Sequence, residues 1–295
     1  MTYVSEEISS QPACWSQAAR LAGTQGKVLP APGERVAVVG CGTSYNMAEA
    51  YARLREDSGL GVTDAMPASE PRPYRQYDCY VFLSRSGTTT EVLEAMQAVP
   101  AGSRTVAIVG DGASPVAGAA GSVIVLGFAS ERSIVQTRFA TSLLVLLRAH
   151  LGQDVSQTVK DGEAAVQGRL PDGALQANRF TFLGRGWTVG LAQEAALKLR
   201  EAAQASTESY PAMEFRHGPI SVIDGGSVVW SLGPVPEGLE GDLEPTGATF
   251  ITSGLDPLAE LVRAQRVAVE LATAKGLDPD HPRNLNFSVV LGGAQ

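Results

Sequence analysis

The chain has 295 residues, with 23 lysines and arginines against 31 aspartates and glutamates and a formal net charge of −8. That length suits about two domains of roughly 150 residues, and 44% hydrophobic with 18% charged residues supports a sizeable core and excludes extensive disorder. The acidic balance speaks against nucleic acid as a partner but not against a small anion, because unpaired N–H groups at a helix start can hold a phosphate inside an acidic protein.

The first residues, MTYVSEEISSQPACW, carry no basic stretch followed by an apolar run, so no signal peptide is expected. Residues 6–25 read as one amphipathic helix with Ile8, Trp15, Ala18, Ala19 and Ala22 on one side. RVAVVG (35–40) is a β-branched apolar run ending in glycine, the pattern of a buried strand. CGTS (41–44) follows, and 45–57 has helical spacing. The unit recurs with CYVFLS (79–84) as strand, RSGT (85–88) as turn and 89–99 as helix. RTVAIVG (104–110) and SVIVLG (122–127) are further strands, and 133–151 reads as a long buried helix. Residues 152–178 suit a helix and then a linker. The unit then restarts with RFTFLG (179–184), RGWT (185–188) and a helix over 189–204. SVVWSLG (227–233) and ATFITSG (248–254) follow as strands, 234–247 as an acidic surface loop without helical period, and 257–276 as a helix stopped at Gly276.

Strands alternating with helices predict an α/β protein of two doubly wound parallel-sheet subdomains related by duplication. The first spans 1–152, a connecting helix and linker 153–178, and the second 179–295 with a C-terminal tail. No apolar run approaches about 18 residues, so no membrane span is expected. The three cysteines, Cys14, Cys41 and Cys79, cannot all pair and form no CxxC spacing. This points to reduced thiols, a cytoplasmic protein and no structural zinc.

Ligands of a doubly wound sheet sit at the carboxyl ends of the strands. Those ends are GCGTS (40–44) and SRSGTTT (84–90), each combining glycine and hydroxyl residues just before a helix. Glycine admits close backbone approach, the helix start supplies unpaired N–H groups and partial positive charge, and Ser and Thr add compact donors. Two such loops in one sheet favour a phosphate site over simple helix capping, with Ser84, Ser86, Thr88, Thr89 and Thr90 in the second. Arg85 either adds charge there or is solvated in a surface turn. No GxGxxG follows the first strand and no GxxxxGK[ST] occurs, so no nucleotide cofactor is expected. No HExxH or clustered ligand pattern calls for a metal.

Residues 194–224 concentrate further candidates. Glu194, Lys198 and Glu201 share a helix face by i, i+4, i+7 spacing. The stripe is either a solvent-facing charge ladder or a source of a general base. His217 precedes Gly218–Pro219, which fixes a turn after it. A carboxylate base beside an imidazole suits proton transfer next to a sugar carbonyl, and the residues alone leave that pairing open.

GCGTSYNMAEAYARL, SRSGTTTEVLEAM and GRGWTVGLAQEAALKLREAAQASTESYPAMEFRHGPISVID resemble the double SIS (sugar isomerase) family, with its flavodoxin-like lobes. The isomerase half of glucosamine-6-phosphate synthase, phosphosugar isomerases and aminosugar-phosphate deaminases share these blocks. The resemblance runs from EISSQP near the start to DPDHPRNL at 278–285. It implies that Cys41, Gly42, Thr43 and Ser44 touch the sugar and that Ser84, Arg85, Ser86, Gly87 and Thr89 hold its phosphate. Glu131, Ser133, Ile134, Gln136, Thr137 and Arg138 match a third loop that lines the sugar site. Lys198 and Glu201 match the K-L-[KR]-E segment, whose glutamate moves a proton between C1 and C2 through an enediol-type intermediate. His217 matches a ring-opening histidine that reaches its site from the other subunit, which implies a homodimer.

The expected partner is therefore a phosphorylated sugar or aminosugar, with no nucleic acid, membrane or cofactor. The expected activity is aldose–ketose isomerisation or aminosugar-phosphate deamination, and the alternative is a phosphosugar-binding regulator without turnover. A glutamine amidotransferase half has no place in the sequence, so synthesis of glucosamine 6-phosphate from glutamine is not expected. Phe287 stands where the synthase tail carries a lysine, which removes a Schiff-base step. Segment 234–247 is expected to lack the helix usual between the second lobe's strands.

Overall fold

The computed structural model describes residues 2–72 and 74–292. The chain forms two compact units. Residues 13–131, 138–155 and the tail from Asn286 make one, the N-terminal lobe, and residues 2–12, 132–137 and 156–285 the other, the C-terminal lobe.

The chain opens with α1 (Tyr3–Ser9) and α2 (Gln11–Gln25) in place of the single helix expected over 6–25. Pro12 explains the break, because a proline inside a continuous helix has no N–H for the carbonyl four residues back. As the second residue of α2, that missing donor costs nothing.

The N-terminal lobe holds a parallel sheet of β1 (Val36–Gly40), β2 (Thr63–Pro67), β3 (Cys79–Ser84), β4 (Arg104–Val109) and β5 (Ser122–Val125), in the order β2-β1-β3-β4-β5. Its helices are α3 (Thr43–Asp57), α4 (Thr90–Gln97), α5 (Pro115–Ala119) and α6 (Arg138–His150). Every residue of β1 is buried, as its unbroken apolar run requires for a strand covered on both faces. One face packs Ala37, Val39, Phe82 and Val109 against Val92 and Val116. Elsewhere in the lobe α3 packs on α6, and the Trp15 indole N–H donates to Thr141 Oγ1 at 2.8 Å. α6 starts at Arg138, not 133, because residues before it are held in a loop described below.

In the C-terminal lobe α7 (Ser156–Gln167) precedes β6 (Arg179–Gly184), α8 (Thr188–Ala203), β7 (Ser206–Pro211), β8 (Ser227–Ser231), α9 (Leu239–Leu243), β9 (Thr249–Ile251) and α10 (Pro257–Ala274). The sheet is parallel, in the order β7-β6-β8-β9, and α10 packs on α7 and α8. Together the lobes give the expected two doubly wound parallel sheets. The duplication is visible in detail. β1 and β6 each end in a glycine pressed against the next helix. A Cβ on Gly40 would lie 2.8 Å from the backbone of Ser44, and one on Gly184 would lie 2.3 Å from the Thr188 carbonyl oxygen.

Two strands escape the sequence pattern, β2 (TDAMP) and β7 (STESYP). Both lie at sheet edges, where half the ladder is unpaired and polar residues and a terminal proline are tolerated. The reading of 234–247 as a helix-free loop is corrected. α9 and a following 3₁₀ turn, Glu244–Thr246, occupy it. Leu239 and Leu243 are buried against Leu183, Phe215 and Val229. Two leucines four residues apart in an acidic setting are one turn of apolar stripe, too short to show a period. Burying each is worth about 1.5–3 kcal/mol.

Candidate active site

The loop between β3 and α4 is built by its own hydroxyls. Ser84 Oγ accepts the Gly87 N–H at 3.0 Å and Ser86 Oγ accepts the Thr88 N–H at 3.2 Å. Gly87 has φ +66°, and a Cβ there would lie 2.0 Å from Ser114 Oγ, so only glycine fits. Its carbonyl accepts the Val116 N–H at 3.0 Å, tying the loop to α5.

Thr89 occupies the N-cap position of α4 in extended conformation, yet its side chain caps nothing. Instead the hydroxyls of Ser86, Thr88 and Thr89 converge on a single oxygen, Ser288 Oγ of the tail, at 3.1, 2.9 and 3.3 Å. The Thr90 N–H donates to the Val289 carbonyl at 3.1 Å. The arrangement is a cradle of hydroxyls and a helix N-terminus around one oxygen position, which the capping reading does not produce.

Arg85 is not solvated in a surface turn. It is 5% exposed, with Nη1 3.4 Å from Glu131 Oε2, and Nη2 donates to the Phe287 carbonyl at 3.0 Å. The Phe287 ring lies 3.8 Å from the guanidinium carbon, a cation–π stack. Glu131 in turn accepts the Phe139 N–H at 3.3 Å, at the positive end of α6. Arg85 and Glu131 thus form a buried ion pair whose guanidinium also holds Phe287, the residue before Ser288.

The first loop is tighter than the sequence suggests. Gly42 is the N-cap of α3 with φ +52°, and Thr43 and Ser44, both buried, lie in the helix's first turn with no side-chain cap. Burial raises the pKa of the Cys41 thiol, and the charge of Glu91 adds to this, which works against the thiolate form.

The third loop belongs to two places. Glu131 lies with the N-terminal lobe, while Ser133, Ile134, Gln136 and Thr137 lie with the C-terminal lobe. There Glu7 of α1, 2% exposed, accepts the N–H groups of Arg132 and Ser133 at 2.5 and 3.3 Å and is bonded to the Ser133 hydroxyl. Ser133 Oγ also lies 2.8 Å from the Val135 carbonyl oxygen, within reach of the same O–H hydrogen. Its hydroxyl therefore shapes the loop. The Ile134 N–H donates to the Asp280 carbonyl at 3.0 Å, and the Asp280 carboxylate accepts the Tyr3 and Val4 N–H groups at the start of α1. Gln136 Oε1 is buried without a hydrogen-bond partner among the described residues. Glu7 and Asp280 are absent from the sequence reading. The available signal was an acid inside the buried Val4–Ile8 stripe of α1.

The charge stripe on α8 is buried, which overturns the solvent-ladder reading. The side chains of Glu194 and Lys198 are each 1% exposed and that of Glu201 19%. Lys198 Nζ lies 3.4 Å from Glu194 Oε1 and bonds Glu201 Oε2 directly. Glu201 thus keeps part of its carboxylate accessible while the buried Lys198 ammonium holds the other part. His217 follows the 3₁₀ turn Glu214–Arg216, where Phe215 is buried, and is itself exposed. Its backbone N–H donates to Glu214, and no ring hydrogen bond is present among the described residues.

No protein-family model matches the chain. A glutamine–fructose-6-phosphate aminotransferase (isomerizing) from Pseudomonas aeruginosa is 30% identical over 328 residues, covering 91% of this chain and 54% of its own length. The chain spans about half the length of the curated relatives it matches. Among solved structures, glucosamine-6-phosphate deaminase from Thermotoga maritima superposes with a TM-score of 0.81 at 25% identity, covering 98% of this chain and all (100%) of that one. Tagatose-6-phosphate ketose/aldose isomerase from Escherichia coli shares the fold, with a TM-score of 0.79 at 18% identity, covering 100% and 98%. Among the described residues no helix is long and apolar enough to cross a membrane.

Proposed function

We propose, from the premise that the chain belongs to the double SIS (sugar isomerase) family, that it is an enzyme acting on a hexose or aminohexose phosphate, interconverting aldose and ketose or, with water supplying the oxygen that replaces the nitrogen, releasing ammonia from an aminosugar phosphate. The observation that carries this reading is the convergence of the Ser86, Thr88 and Thr89 hydroxyls on one oxygen position at the start of α4, beside the buried Arg85. Three short donors, a helix N-terminus and a guanidinium match the oxygens of a phosphoryl group.

In this mechanism Ser86 and Thr89 bind the phosphate, Ser84 and Gly87 fix the loop, and Gly42, Thr43 and Ser44 contact the sugar. Glu131 orients Arg85, while Ser133, Ile134 and Gln136 line the hydroxyl end of the substrate. Glu201 removes the proton beside the carbonyl and returns it to the neighbouring carbon, and Lys198 holds its carboxylate in position. Enediolate charge is stabilised by donors fixed before the reaction, which is where electrostatic catalysis is most effective. His217 acts on the ring oxygen in opening the sugar. Its exposure in the single chain accords with service in a partner's site, and the working form proposed is a cytoplasmic homodimer.

The test is a screen of hexose, aminohexose and glycated-amine phosphates in deuterated water, with ammonia detection. Deuterium entering C1 or C2 supports the enzyme, and ammonia release selects deaminase over isomerase. Saturable binding with no exchange for any of them would identify a sensor. Within the same screen, replacing Ser86 and Thr89 by Ala should weaken the phosphorylated sugar by about 3 kcal/mol, on the order of 100-fold. The free sugar should change by about twofold at most, since it makes no bonds to those hydroxyls. Equal losses for both ligands would remove the phosphate from this loop.

A further inference from the structure

The cradle's donors are already in use within the N-terminal lobe. Ser288 Oγ takes the Ser86, Thr88 and Thr89 hydroxyls, and the Val289 carbonyl takes the first N–H of α4, from Thr90. The Leu291 N–H donates to Thr90 Oγ1 at 2.9 Å, and the Phe287 carbonyl and ring take Arg85. A lid would close over a ligand and leave these groups open. This segment instead takes the hydroxyls and the helix N–H themselves.

We propose that residues 286–291 are an internal competitor for the phosphate cradle, with the Ser288 hydroxyl and the Val289 carbonyl standing in for phosphoryl oxygens. The proposal rests on the reading of the 84–90 loop as a phosphate site. One set of hydroxyl hydrogens and one helix N–H cannot serve both occupants, so sugar phosphate binding displaces the tail. The tail is suited to leaving. It forms no helix or strand, and Phe287, Val289, Val290 and Leu291 are 42–62% exposed, so little apolar burial holds it. A dianion forms shorter, charge-assisted bonds to the same donors than a neutral serine can. Apparent phosphate affinity is then the intrinsic affinity scaled by the fraction of molecules with the tail released.

The experiment is calorimetric titration of the full chain with inorganic phosphate, comparing the parent with Ser288→Ala and Ser288→Asp, alongside hydrogen exchange of the 286–292 segment. Loss of the hydroxyl should tighten phosphate by about threefold or more, because the released fraction rises. The aspartate, a stronger ligand for the same donors, should weaken phosphate by about tenfold. Saturating phosphate should speed exchange at the Leu291 amide. Phosphate binding unchanged within about twofold in both variants, or slowed exchange at Leu291, overturns the competitor while leaving the cradle intact. Phosphate binding to neither the parent nor Ser288→Ala removes the cradle and the competitor together.

Discussion

Glu201→Gln should stop deuterium entering C1 or C2 of a bound hexose phosphate, with exchange falling by about 10²–10⁴-fold, the usual contribution of a positioned general base. Phosphate affinity should stay within about twofold, since the glutamine is remote in sequence and chemistry from the hydroxyl loop. The fold should also hold. Lys198 loses its short contact with the Glu201 carboxylate but keeps Glu194, 3.4 Å away and equally buried, so no uncompensated charge is left in the interior. The amide is close in size to the carboxylate and lacks only the basicity. A single-turnover exchange measurement with the binding titration beside it separates the roles. If exchange and binding fall together, Glu201 is an organising residue and not the base.

Glu7→Ala should be the most destabilising single change outside the apolar core, although Glu7 touches none of the proposed reacting groups. Its carboxylate accepts two backbone N–H groups and is bonded to the Ser133 hydroxyl inside the C-terminal lobe. Alanine leaves buried donors unpaired at about 1–3 kcal/mol each, for a loss of roughly 3–5 kcal/mol. The melting midpoint should fall by about 10 °C. Glu6→Ala on the exposed side of the same helix should change stability by less than about 0.5 kcal/mol. Glu7→Gln retains volume and some acceptor capacity and should recover part of the loss. Comparable midpoints for Glu7→Ala and Glu6→Ala would mean that the 132–137 loop is held by other contacts.

The two cases differ in how legible they were. Glu201 and Lys198 announce themselves by spacing on one helix face, a local property. Whether that face is wet or buried is not local, and the solvent-ladder reading failed for that reason. For Arg85 the sequence left two alternatives, added charge or a solvated turn, and the second is excluded because Glu131 and Phe287 arrive from distant parts of the chain to cover it. Glu7 and Asp280 lie 273 residues apart by number and meet at one loop, through bonds from Ser133 to Glu7 and from Ile134 to Asp280. No window of sequence could pair them.

What the chain's order of residues determined on its own was the alternation of apolar strands with amphipathic helices, the glycine and hydroxyl loops at strand ends, and the repetition of that unit. Each is a short-range pattern of polarity, backbone freedom and side-chain period. Tertiary structure decided the edge strands β2 and β7, the short α9, the burial of the α8 stripe, and the meeting of Ser288 with the hydroxyls of the 84–90 loop. Those depend on which distant segments exclude water from a group or complete its hydrogen bonds, and that is fixed only when the chain has closed on itself.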